Sequence, residues 1–104
     1  MVEKLKHPGA MRLVGADAER IIWLRGNPVS DFYPAEALRL RLDGVARVDL
    51  LLNEAGQVQE AQLLSESPPN VGFGLAGLDV AKTYEFLNPF RRPVLLTLTI
   101  EFLP

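Results

Sequence analysis

The chain has 104 residues, 48% of them hydrophobic and 23% charged, and this length and composition predict one globular domain. The formal net charge of −2 comes from 11 Lys and Arg spread among 13 Asp and Glu, which argues against a nucleic-acid-binding surface. The absence of cysteine excludes disulfides, thiolate catalysis and cysteine-ligated zinc.

Residues 1–19 mix charged, glycine and apolar residues without a clear period, which predicts a flexible N-terminal arm ahead of a folded domain at 20–104. The chain as given is expected to be soluble, because it has no signal-peptide run and no stretch near the ~18 apolar residues of a membrane span. Three alternatives stay open for the arm: residues added by cloning, a disordered linker, or a segment folded against the sheet.

The apolar run at 20–25 predicts a short strand, which the Gly-Asn-Pro at 26–28 ends. Asp31 is placed to cap a helix whose first turn contains Pro34. Proline suits a first turn because the N–H that it lacks would have no partner there. Apolar residues at 35, 38 and 42 give this helix one apolar face, and Asp-Gly at 43–44 ends it.

Within residues 44–53, one face carries Ala46, Val48, Leu50 and Leu52, and the other carries Arg47, Asp49 and Leu51. This alternation predicts a half-buried strand with its charges on one face. A tight turn at 54–56 follows, with Gly56 free to take a positive φ. The second strand, at 57–65, changes phase part of the way along. A β-bulge near 59–60 explains this, and a twisted strand with both faces partly covered is the alternative.

The prolines and glycines at 67–74 predict an irregular segment, and a helix is expected over 75–86. Ala76, Val80 and Tyr84 give that helix an apolar stripe, which the small residues Gly77 and Ala81 widen. The alternation over 94–102, with Thr97, Thr99 and Glu101 on the face opposite the apolar residues, is the clearest strand signal in the chain. The whole pattern predicts an α+β fold in two layers, with an antiparallel three-stranded sheet and two helices packed on one face.

Seven segments, in this order and spacing, resemble the TonB C-terminal domain family. They are Tyr-Pro-Ala-Glu-Ala at 33–37, Leu-Asp-Gly-Val-Ala at 42–46, Asn-Glu-Ala-Gly-Gln-Val at 53–58, Leu-Leu-Ser-Glu-Ser at 63–67, Val-Ala at 80–81, Tyr-Glu-Phe-Leu-Asn-Pro at 84–89 and Arg-Pro-Val at 92–94. The resemblance covers residues 23–102, and the segment at 26–32 has no close match to the family.

The resemblance implies a periplasmic protein-binding domain of an energy transducer, anchored in the inner membrane when full-length. Such a domain docks the TonB box of a TonB-dependent outer-membrane receptor by β-strand addition, which serves energy-dependent nutrient uptake. Contact with the inner-membrane ExbB–ExbD complex is implied only if an N-terminal anchor exists. No cofactor and no nucleic-acid partner are expected.

By resemblance, the added peptide lies along the last strand, whose edge would offer free backbone groups. The partner-binding residues implied are Val94, Leu95, Leu96, Thr97, Leu98, Thr99, Ile100, Glu101 and Phe102, with Arg91 and Arg92 before them. A solvated turn is the default interpretation for the two arginines, and pairing with an acidic receptor residue is the sharper one. The aromatic residues Trp23, Tyr84 and Phe86 are expected to be core rather than partner contacts.

No catalytic device is predicted. His7 is the only histidine and lies in the arm, and Ser65 and Ser67 have no candidate base nearby. Asp49 and Glu60 are expected to be solvated side chains of the hairpin rather than an acid–base pair. The Gly-x-Gly-x-x-Gly at 72–77 lacks the βαβ unit of a dinucleotide site, so tight turning and helix packing are expected to explain it.

A second function remains open from the sequence: a stand-alone envelope scaffold or dimerisation domain without energy transduction. The chain as given has no membrane helix and no Pro-rich spacer, which a fragment would explain and a scaffold would not need. A possible homodimer, formed by pairing of sheet edges, belongs to this alternative.

Overall fold

The computed structural model describes residues 2–104, so Met1 of the predicted arm lies outside the described residues. The strands are β1 Met11–Arg12, β2 Ile22–Arg25, β3 Gly44–Leu52, β4 Val58–Ser67, β5 Glu85–Leu87 and β6 Val94–Phe102. The helices are α1 Gly15–Ala18, α2 Ala35–Arg39 and α3 Phe73–Ala81, with a 3-10 turn at Val29–Phe32. In this part of the chain no helix is long and apolar enough to cross a membrane.

The main sheet has four strands in the order β1-β6-β3-β4, and β2 pairs with β5 in a separate antiparallel ribbon. The three long strands β6, β3 and β4 are antiparallel, as predicted, whereas β1 joins the edge of β6 in parallel. The predicted α+β class is confirmed. The sheet has one short strand more than predicted.

One hydrophobic core lies between the main sheet and α3. In β3 the alternate residues Ala46, Val48, Leu50 and Leu52 are fully buried, which confirms the predicted face. The small stripe of α3 lets the helix approach β3 closely, because a Cβ on Gly77 would lie 2.5 Å from the Cβ of Ala46. The helix-packing interpretation of the glycines at 72–77 therefore accounts for this position.

Strand β4 contains two bulges. Leu51 pairs with Glu60 and Leu52 with Val58, so Gln59 is the extra residue of a bulge at the predicted place. A second register shift leaves Leu64 as an extra residue and was not predicted. The phase change in the sequence thus arises from extra residues rather than from twist alone.

The first predicted helix is shorter and differently oriented than its sequence suggested. Residues around Asp31 form the 3-10 turn, and α2 begins after Pro34 without a side-chain cap, so the predicted cap is wrong. Its predicted apolar face is also wrong, since Leu38 is 49% exposed and Ala37 is the residue of α2 that is fully buried.

The second predicted helix extends too far. Helix α3 ends at Ala81 and is followed by strand β5, so the prediction of a helix over 75–86 is wrong in its last five residues. Phe86 instead pairs with Trp23 of β2, and its amide donates to the carbonyl of Gly56 with an N–O distance of 2.9 Å. Gly56 takes φ of +85°, as its turn requires.

The face of the sheet opposite α3 is partly covered by the N-terminal segment. Asp49 is fully buried there, so the expectation of a solvated side chain is wrong. Its carboxylate accepts hydrogen bonds from the guanidinium of Arg12, the amide of Leu5 and the hydroxyl of Thr97. Among the alternatives for residues 1–19, these contacts correspond to a segment folded against the sheet.

Candidate functional site

The outward edge of β6 is paired only at its beginning. The amide of Leu13 donates to the carbonyl of Leu95, with an N–O distance of 2.8 Å, so the backbone groups of Leu95 face outward. Because alternate residues of a strand direct their backbone groups to the same side, those of Thr97, Thr99 and Glu101 face outward too. Within residues 2–104, β1 is the one strand on this side, and its pairing stops before Thr97. Three successive outward-facing residues are left to receive an added strand.

The other long edge of the main sheet, along β4, is less suited to strand addition. Its bulges at Gln59 and Leu64 break the regular spacing of backbone groups, and Glu60 and Glu66 add charge. Strand β6, in contrast, pairs with β3 along its whole length without a register shift. The regular edge of β6 is therefore the better template for another strand.

An apolar hollow of about 260 Å³ lies directly beside the open part of the β6 edge. Leu98 and Ile100 line it from the core-facing side of β6, and Trp23 and Phe86 line it from the β2–β5 ribbon. The remaining lining residues are Val29, Tyr84, Thr99 and Glu101. Side chains of an added strand that point toward the core side of the sheet would enter this hollow.

Of the aromatic residues that line the hollow, Trp23 departs from its predicted role. Phe86 is 4% exposed and belongs to the core, as predicted. Trp23 is 51% exposed, so the expectation that it packs under the sheet is wrong. Its ring meets the partly buried Tyr84 edge-on, with ring centroids 5.8 Å apart, and burial raises the pKa of Tyr84. The ribbon pairing, which the sequence does not reveal, places Trp23 at the hollow.

The residues implied as partner-binding fall into three groups. Val94 and Leu95 pair with β1 and are not open. Leu96, Leu98, Ile100 and Phe102 direct their backbone groups to β3, and their side chains pack on the core side. Thr97, Thr99 and Glu101 direct their backbone groups outward.

Arg91 and Arg92 lie in the exposed loop before β6, and Arg91 takes φ of +54°. Within residues 2–104 neither arginine forms an ion pair. They lie at the end of β6 that β1 covers, and the open edge begins at Thr97. A solvated turn agrees with this position.

The structure brings no catalytic set together at these positions. Asp49 pairs across the hairpin with Gln62 rather than with Glu60, and its carboxylate is occupied by Arg12. Among residues 2–104 no group of three or more His, Asp and Glu side chains is placed to hold a metal ion. What this surface offers is backbone hydrogen bonding beside an apolar hollow.

Sequence reasoning missed two parts of this surface: Arg12, which holds the N-terminal segment in place, and Trp23, which lines the hollow. The sequence contained one signal that the N-terminal segment covers this face of the sheet. Leu51 shares the polar face of β3 with Arg47 and Asp49, and it is 6% exposed. An apolar residue at such a position indicates that the face is covered.

Comparison with known proteins gives one family and one fold. Residues 30–103 match the family model described as Gram-negative bacterial TonB protein C-terminal. The solution NMR structure of the Pseudomonas aeruginosa TonB C-terminal domain is similar at 18% identity, with a TM-score of 0.52 over 88% of this chain and 90% of that one. No curated protein sequence matches the chain.

Proposed function

The chain belongs to the TonB C-terminal family, and from that premise we propose that it is the periplasmic protein-binding domain of a TonB-type energy transducer. It docks the TonB box of a TonB-dependent outer-membrane receptor by adding that segment as a strand beside β6. The addition serves energy-dependent nutrient uptake. Coupling to the inner-membrane ExbB–ExbD complex requires an N-terminal membrane anchor.

The observation that carries this proposal is the open edge of β6 at Thr97, Thr99 and Glu101. An edge with free backbone donors and acceptors binds an extended peptide through main-chain hydrogen bonds. The edge is regular, since β6 pairs with β3 without a register shift. The bulged β4 edge and the covered start of β6 leave this stretch as the favoured place of addition.

The test is a titration of the ¹⁵N-labelled domain with a TonB-box-like peptide, followed by amide hydrogen exchange. We expect saturable shifts on β6 and slowed exchange at the amides of Thr97, Thr99 and Glu101. The amides of Leu98 and Ile100 already bond to β3, so their exchange should change much less. This alternation distinguishes strand addition from binding elsewhere on the surface.

Two peptide controls make the test specific. A scrambled peptide keeps composition and loses order. A peptide N-methylated at alternate residues keeps every side chain but cannot donate along one edge, so one of the two N-methylation frames should abolish binding. Equal binding by both N-methylated peptides would exclude a main-chain mode of recognition, and the proposal would fall.

A second candidate, a scaffold domain that pairs the same edge with another copy of itself, is supported by the same free backbone groups. Sedimentation over a range of concentrations separates the two. A dimer that the peptide converts to monomer would place both partners on one edge. A dimer that coexists with bound peptide would use another surface, and a monomer at all concentrations would remove the scaffold alternative.

A further inference from the structure

We propose that the hollow and Glu101 make this edge selective for an extended peptide of a defined pattern. In that pattern apolar residues alternate with polar ones, and a basic residue lies opposite Glu101. The inference rests on the proposed strand addition and names the class of peptide that the edge recognises.

The direction of side chains in a sheet fixes the apolar half of the pattern. Residues of an added strand that lie opposite Leu98 and Ile100 share their face, which is the face of the hollow. The hollow holds about 260 Å³, several times the ~30 Å³ that one water occupies in the liquid. Its walls are mostly apolar and aromatic, so side chains that enter it gain by leaving water.

The face of the sheet that points away from the core determines the polar positions of the peptide pattern. Thr97, Thr99 and Glu101 point away from the core, and Thr99 and Glu101 are exposed. Residues of the added strand that lie opposite Thr99 and Glu101 remain in contact with water. Polar side chains at these positions lose no solvation, and threonine suits them because it favours strands and pairs well with threonine across a ladder.

The charge of Glu101 determines which peptide residue is favoured opposite it, at the end of the pattern. Glu101 is the one charged residue among those lining the hollow. Within residues 2–104 it forms no ion pair, whereas Glu85 of the neighbouring ribbon is already paired with Arg25. A cation directly across the strands from Glu101 is favourable there, and an anion is unfavourable. Because the carboxylate is exposed, the charge sets preference between peptides more than total affinity.

The experiment uses the whole domain and peptides built on Thr-Leu-Thr-Leu-Lys, flanked by serines. This sequence and its reverse cover the two directions in which a strand can add. Trp23 is the only tryptophan in the chain and lines the hollow, so its fluorescence reports whether the hollow is filled. We expect a blue shift with the better of the two peptides, together with shifts at the outward amides of β6.

Two changes then test selectivity. Replacing both leucines by serine should weaken binding about tenfold or more and remove the blue shift. Replacing lysine by glutamate should weaken binding severalfold, and Glu101→Lys in the domain should reverse the preference between the two peptides. Glu54→Lys, in the exposed turn at the far end of the hairpin, is the matched control and should leave the preference unchanged.

The outcomes separate this inference from the proposed function. Strand addition that is indifferent to the leucines, or a charge preference that survives Glu101→Lys, overturns the selectivity and leaves the docking edge standing. A failure of these peptides and of the TonB-box-like peptide to shift the outward amides of β6 removes the edge itself. Reversal of preference by Glu54→Lys as well would reduce the effect to net charge and would also overturn the inference.

Discussion

The guanidinium of Arg12 binds both carboxylate oxygens of Asp49, with an Nη1–Oδ1 distance of 2.5 Å and an Nη2–Oδ2 distance of 2.7 Å. The first residue belongs to the short edge strand β1 and the second to the middle strand β3, so their contact passes over β6. The same guanidinium donates to the carbonyl of Leu5. One side chain thus joins the N-terminal segment to the centre of the sheet.

Replacing Arg12 by methionine should lower the free energy of unfolding by about 2 to 3 kcal/mol, because it leaves the buried carboxylate of Asp49 short of two hydrogen bonds. The expected loss is below that of a fully buried pair, since 28% of the Arg12 side chain is exposed. Urea denaturation measures it. Arg39→Met is the matched control, because its pair with Glu36 lies on the exposed surface, and equal losses in the two variants would contradict the structural role of Arg12.

Stability should fall with acid in a way that depends on Asp49. Burial alone would raise the pKa of this carboxyl, but hydrogen bonds from Arg12, Leu5 and Thr97 outweigh it and hold the pKa below the ordinary value of 3.8. A group with a lowered folded pKa stabilises the protein above its unfolded pKa, and this contribution disappears as the pH falls through the folded pKa.

The wild-type domain should therefore be more stable than Asp49→Asn by a constant amount between about pH 7 and pH 5, and this difference should shrink below about pH 4. Urea midpoints measured at each pH give the result. In an Arg12→Met background the same comparison should depend less on pH, because the chief donor is gone. A difference that grows toward acid pH would contradict the assigned direction of the shift.

Gly56 should tolerate no side chain. Its φ of +85° disfavours L-residues, and an added Cβ would lie 1.8 Å from the carbonyl oxygen of Phe86. We expect Gly56→Ala to cost about 2 kcal/mol or more, through strain and displacement of β5. Gly15→Ala is the control, since Gly15 has φ of +56° and nothing within 4 Å of the added Cβ, so it tests backbone strain alone. Equal costs for both variants would show that the contact with Phe86 contributes nothing.

Hydrogen exchange in the free domain should distinguish the two sides of β6 and the covering by β1. The amides of Leu98 and Ile100 should exchange slowly, and those of Thr97, Thr99 and Glu101 quickly although all five lie in one strand. The amide of Leu13 donates to the carbonyl of Leu95, so it should exchange more slowly than those three. A Leu13 amide that exchanges as quickly as theirs would contradict the covering of Leu95 and would favour the flexible arm that the composition of residues 1–19 predicts.

Local patterns predicted the elements whose partners are close in sequence. The alternation over 94–102 and the turn at Gly56 identify β6 and the hairpin because strand periodicity and turn chemistry are local properties. The end of α3 could not be predicted in the same way. Tyr84 continues the helical stripe of Ala76 and Val80, but the strand β5 that follows exists because it pairs with β2, about sixty residues earlier.

The same difference between local and long-range contacts explains which parts of the candidate site could be predicted. The edge strand followed from its own sequence and from the family resemblance. The hollow needs Trp23 and Phe86 side by side, and the covering of Leu95 needs Arg12 near Asp49, 37 residues away. Contacts across such distances depend on the packed fold, and neither periodicity nor composition encodes them individually.

The attachment of the N-terminal segment also determines how tension would enter the domain. A pull applied near residue 2 reaches Leu5 and Arg12 first, and both are bonded to Asp49 of the middle strand. That strand, β3, is hydrogen-bonded to β6 on one side and to β4 on the other. Tension along β1 would also load its hydrogen bonds to β6 together, in shear, rather than one after another as in peeling. Traction at the N-terminal end would therefore be shared between β6 and, through Asp49, the inner strand β3.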